Sequence, residues 1–169
     1  MKPEYCTPVK LAVFCLVALL AACGVEEPAG DPMEAGQERW LRYCASCHGA
    51  EGEGRPPSFP PVAGSEWLEL PSEALALIVL RGLRGEIEVK GEKYRGFMPP
   101  MRHMSDEDIA LSVAWMEETW GDREATLQAR DIAELRDRVM GDRQPMEGLD
   151  GVTSALEQLE NQGPETNRP

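Results

Sequence analysis

No stretch of this 169-residue chain is apolar for long enough to cross a membrane. The apolar run Leu11–Leu20 has ten residues, about half of what roughly 30 Å of hydrocarbon requires of a helix. Basic side chains are scarce, 17 against 30 acidic for a formal net charge of −13. Such a surface disfavours nucleic acid and anionic lipid and would steer toward a basic patch on a partner. Histidine is scarcer still, with only His48 and His103, which argues against a structural zinc site because four ligands would have to come from very few groups. Cysteine is also sparse, and its five positions leave no disulfide framework once the N-terminus is considered.

What the N-terminus does have is a signal sequence. Lys2 and Lys10 precede the apolar run, and small residues follow it in Leu20-Ala21-Ala22-Cys23-Gly24. This segment resembles the lipobox of bacterial lipoproteins, with Leu20, Ala22 and Cys23 in place. The resemblance implies cleavage after residue 22 and acylation of Cys23; the alternative is an ordinary signal peptide cut near Ala22. Cleavage removes Lys2, Lys10 and Glu4 and takes the balance to −14. Anchoring would then rest on more than one acyl chain rather than on charge. Gly24 points to the outer membrane by a sorting rule of such lipoproteins. Cys6 and Cys15 leave with the signal peptide, so Cys44 and Cys47 are the remaining pair.

The expected organisation is a signal peptide over 1–22, a tether over 23–30, one domain over 31–122, a short helix over 123–140, and a disordered tail over 141–169. The tether is broken by Pro28 and Gly30. Asp31-Pro32 starts a helix as N-cap and first residue, with Met33, Gly36, Trp40 and Tyr43 on one face. Residues 49–66 are rich in proline and glycine and form a loop. A second helix spans about Pro71 to Arg81 and stops at Gly82. Glu86–Lys90 alternates polar and apolar and, with Lys93-Tyr94-Arg95, predicts a short β-hairpin. Ser105 caps a third helix that runs to about Thr119, with Ile109, Val113, Met116 and Trp120 as its stripe and Leu111 and Trp115 widening it. The helix over 123–140 buries Ile132, Leu135 and Val139. In the tail, Leu149, Val152, Leu156 and Leu159 suggest only a marginal amphipathic helix, so disorder is expected.

Cys44-Ala45-Ser46-Cys47-His48 is the attachment pattern of a c-type haem. Two thiols three positions apart reach the two vinyl groups on one porphyrin edge, and the adjacent imidazole meets the iron. A thioredoxin-like dithiol would need a βαβ setting, whereas a helix precedes this pair and a loop follows it.

Around this motif, residues 33–122 resemble the mono-haem class I cytochromes c. The likeness rests on Gly36-x-x-x-Trp40-x-x-x-Cys44, on His48-Gly49-Ala50-Glu51-Gly52-Glu53-Gly54, on Phe59–Trp67, and on Tyr94–Pro100 leading into the last helix. It implies an all-α domain wrapped around one covalent haem c, with the hairpin placed before an axial-methionine loop. It also implies that Gly36 lets the first and last helices cross closely, with Trp40 and Trp115 packed there. A carbonyl of Pro60 or Pro61 would orient His48. Met98 is the expected sixth ligand, for its place fifty residues after His48, its two following prolines and its family context; Met101, Met104 and His103 compete. His/Met ligation raises the potential and closes the iron to small ligands. The expected function is therefore electron transfer on the periplasmic side of a membrane, with a redox protein as partner and no small-molecule substrate. A small haem peroxidase or sensor with an open sixth site is the alternative. Leu80–Gly85 and Trp115–Gly121 resemble cytochromes associated with periplasmic dehydrogenases, copper nitrite reductases and terminal oxidases.

Overall fold

A computed structural model describes residues 31–139 and 141–162. The expectations for the signal peptide, Cys23 and the tether lie outside the described residues. Helix α1 (Pro32–Tyr43) begins where expected: the Asp31 carboxylate accepts from the Met33 N–H at 2.9 Å, with Glu34 in the first turn and Arg42 in the last. Its inward face holds Gly36 and Trp40, both buried, with Met33 and Tyr43 packed at the core margin. Cys44 breaks the helix, and a single turn, α2 (Ala45–His48), follows.

After the loop and a 3-10 turn at Glu66–Glu69, α3 (Ser72–Arg81) runs through the core, and seven of its ten residues from Ala74 onward are apolar. Gly82 ends it at φ +76°. Strands β1 (Leu83–Val89) and β2 (Glu92–Met98) pair antiparallel from Leu83↔Met98 to Val89↔Glu92. The hairpin is thus longer at its open end than alternation alone revealed, because Gly85 and Gly96 interrupt the pattern while sitting opposite each other. Met98 is the last residue of β2, not a loop residue. Helix α4 (Asp106–Trp120) is capped by Ser105 Oγ, which accepts from the Asp108 N–H at 3.0 Å.

The first and last helices of this core cross at Gly36. A Cβ there would stand 2.7 Å from both the Leu111 carbonyl oxygen and the Trp115 Cβ, so only hydrogen fits. Trp40, Trp115 and Trp120 pack at the crossing in tilted and edge-to-face pairs with ring centroids 4.6–5.6 Å apart, within the range of favourable aromatic pairs. A buried polar cluster fixes the far end of α4: fully buried Glu117 accepts from Ser72 Oγ at 2.6 Å and pairs with Arg123. Arg123 also donates to the Leu70 carbonyl at 2.8 Å.

Two expectations for the C-terminal part need correction. Helix α5 (Ala129–Val139) buries Ile132, Leu135 and Val139 as its spacing required, but it starts six residues later than position 123. Asp131 marks its start by accepting from the Gln128 N–H at 2.8 Å. The tail is not disordered over 146–162. Met146–Glu147 form β3, parallel to Leu83–Arg84, making a sheet of order β2-β1-β3. Helix α6 (Gly148–Gln162) then buries Val152, Ala155 and Leu159. The apolar stripe was marginal for an isolated helix, and α3 and β1 supply the surface that makes it stable. The domain is mostly helical, with a small sheet rather than a hairpin alone. No helix among the described residues is long and apolar enough to cross a membrane.

Candidate functional site

The break at Cys44 aims the motif. Cys47 and His48 both donate their N–H groups to the Cys44 carbonyl, at 3.1 and 3.0 Å, so α2 is a tight turn set off from α1. Both thiols are free and half-buried. Burial, helped by the neighbouring Cys47, pushes the Cys44 thiol up to about 12.

His48 is oriented from behind. Its Nδ1 donates to the Pro60 carbonyl at 2.9 Å. A carbonyl can only accept, so the proton sits on Nδ1 and the Nε2 lone pair is left for a metal. This resolves the choice between the two prolines in favour of Pro60. Burial pulls the imidazole below its usual range while the carbonyl bond works in the opposite direction; the neutral form is the one that ligates. The loop path that presents Pro60 depends on Gly54, at φ +71°, whose N–H donates to the His48 carbonyl at 2.7 Å. A Cβ on Gly54 would fall 2.5 Å from the Pro61 nitrogen, so a larger residue would displace the carbonyl. Trp40 Nε1 secures the other end, donating to the carbonyls of Gly49 and Ala50 at 3.1 and 3.0 Å.

His48 and Met98 face a common apolar cleft. Two adjoining cavities share His48, Pro60, Leu83, Ile87 and Met98 in their walls. Cys47 lines the first and Cys44 the second. Cys44, Cys47 and His48 thus come together with Met98, which lies fifty positions beyond His48. Of the rivals to Met98, none lines either cavity: Met104 is buried in the core, Met101 packs at its margin, and exposed His103 lies against the Tyr43 ring at 6.0 Å. Further walls come from α3 and the hairpin through Leu75, Val79, Leu83 and Ile87, none of which the sequence marked as part of the site. Only Ile87 had a signal, as part of the alternation over Glu86–Lys90.

Such a cleft fits a large, flat, apolar group. Its walls are mostly apolar, and two thiols, an oriented imidazole and a thioether are set into them.

Comparison with known proteins agrees. Residues 31–116 match the family model described as cytochrome C oxidase, cbb3-type, subunit III. That is just over half of the chain, and the chain belongs to this family of cytochrome c domains. Its cofactor is accordingly covalently bound haem c. The chain is 46% identical over 83 residues to cytochrome c-552 of Thermus thermophilus, covering 47% of this chain and 63% of that protein. A second cytochrome c-552 from the same species matches at 46% over 83 residues, 56% of its length. The cytochrome c subunit of the quinone-type alcohol dehydrogenase of Gluconobacter oxydans is 31% identical over 111 residues, 63% of this chain and 23% of that subunit. The chain therefore spans less than two thirds of the length of each of these relatives.

Proposed function

We propose that this chain is a membrane-anchored electron-transfer protein facing the periplasm, and that it carries one haem c wrapped by the domain. Cys44 and Cys47 would hold the group, His48 and Met98 would ligate its iron, and Cys23 would carry the lipid. When bound, the haem supplies a reversible Fe(II)/Fe(III) couple. The residues do the rest. Pro60 fixes the His48 ring through its Nδ1–H, so the ligating nitrogen cannot turn away. Met98 sits at the end of a strand, where cross-strand pairing with Leu83 limits its motion and favours a filled sixth site over an open one. The apolar walls from α3 and β1 exclude water, which favours the less charged reduced state.

The observation that carries this reading is the shared cleft: His48 and Met98 line both of its cavities, while the rival ligands line neither. Met98→Ala should abolish the long-wavelength methionine–iron absorption of the ferric protein and lower its reduction potential. An unchanged spectrum would contradict the assignment and reopen Met101 or His103.

Partner and location follow from charge and the N-terminal sequence. A net charge of −13 favours association with a basic redox partner, an effect that fades as salt rises. Similarity to a cytochrome c subunit of a dehydrogenase supports a partner of the oxidoreductase class. Cys23→Ser should move the protein from the membrane to the soluble fraction; equal partitioning of mutant and wild type would argue against the anchor.

A further inference from the structure

Resting on Met98 as sixth ligand, we propose that Arg136 is a positioning residue for it: a guanidinium on α5 that locks the segment joining β2 to α4. Residues 99–104 have no regular structure of their own. From one side α3 holds them. The Val79 carbonyl accepts from the Met101 N–H at 2.8 Å, and Gly82 lies so close that a Cβ would stand 2.4 Å from the Met98 carbonyl oxygen.

From the other side a single planar group closes the corner. Arg136 Nη1 donates to the Arg102 carbonyl at 2.9 Å, Nη2 to the Met104 carbonyl at 2.8 Å, and Nε to Asp106 Oδ1 at 2.7 Å. The three bonds run from mid-segment to the first turn of α4. Arg102 adds a second tie by donating to the Asp142 carbonyl at 2.7 Å. A charged donor makes a stronger bond than a neutral one, and the rigid fork loses little entropy in making three. The Arg136 side chain is only 22% exposed, so water competes weakly.

A thioether is a neutral, soft ligand, and its hold on iron depends on how well the chain keeps it in place. Met98 leads directly into the segment that Arg136 ties. Arg136 lies beyond residues 31–116 that match the family model. It gives α5 a task at the site, although α5 contributes no wall to the cleft.

The test uses the full-length ferric holoprotein and imidazole as a probe, since imidazole binds only when Met98 lets go. Arg136→Ala should raise the apparent imidazole affinity by about tenfold or more, because charged hydrogen bonds to the loop are lost. It should also weaken the long-wavelength methionine band. Arg136→Lys, which keeps the charge but not the fork, should fall between the two. Arg138→Ala, on the same helix but tied to the Leu159 carbonyl of α6, should leave the affinity at the wild-type value. Wild-type affinity in Arg136→Ala would overturn the proposal, as would an equal rise in Arg138→Ala, which would mark general loosening. If Arg136→Ala does not accumulate, Arg136→Lys decides by the same criterion. A wild-type protein lacking the Met98-dependent band would sink the ligand assignment and this proposal together; the band present but indifferent to Arg136 would sink this proposal alone.

Discussion

At Asp108 the first and last helices of the core are tied by a single carboxylate. It accepts from Arg39 Nε at 2.5 Å and from the Tyr43 hydroxyl at 3.2 Å. Burial works to raise its pKa, but the hydrogen bonds from Arg39 and Ser105 outweigh it and hold the group below its ordinary 3.8. A carboxylate with a depressed folded-state pKa stabilises the protein above its unfolded value. The contribution fades as pH falls through the folded-state pKa. Wild type should therefore exceed Asp108→Asn by about 1–2 kcal/mol at neutral pH, and the gap should close in acid below that pKa. Denaturant unfolding at both pH values measures it, and a pH-independent gap would contradict the ion pair's role. Legibility at this scale divides by distance along the chain. Cys44, Cys47 and His48 could be read directly because their chemistry is their spacing. Pro60 could not be separated from Pro61, since adjacent prolines offer equivalent carbonyls and the choice depends on the loop path through Gly54. Arg123 and Arg136 gave no sign at all. A charged residue reads as solvated until the carbonyls it satisfies, some of them over thirty positions away, are brought beside it.

At the scale of elements, helices that carry their own caps were the easiest to find. Asp31-Pro32 and Ser105 start α1 and α4 with local hydrogen bonds, and Gly82 ends α3, so boundaries matched within a residue or two. The hairpin was seen in part. Glycines opposite each other at 85 and 96 interrupt the alternation, although pairing continues through them to Met98. Helix α6 was missed for a different reason. It opens at Gly148 without a strong cap, and its apolar positions are too few to hold an isolated helix. Its stability is tertiary: Val152, Ala155 and Leu159 close over α3 and β1, and β3 adds a third strand by donating the Met146 N–H to the Gly82 carbonyl at 3.1 Å. The same segment carries Asp142 and Gln144, whose carboxylate and carbonyl receive the nearly buried Arg81. The C-terminal elements thus lean on the end of α3 and the joining segment, the two places that border Met98.

For the molecule as a whole, the covalent group explains the economy of the fold. A small domain with no disulfide among its described residues must gain stability elsewhere. A core built around apolar walls from α3 and the hairpin would be incomplete without a large body between His48 and Met98. Net charge and the proposed anchor and partner bear on where the protein would work and with what, while the attachment motif decides whether it can work as an electron carrier. The most direct measurement is therefore on the whole mature protein, produced in a host able to mature c-type cytochromes. Intact-mass determination together with haem staining after boiling in detergent should show one haem retained on the polypeptide, and lost when Cys44 and Cys47 are both replaced by alanine. A colourless wild-type chain with no added mass, or one whose haem washes away on denaturation, would contradict it.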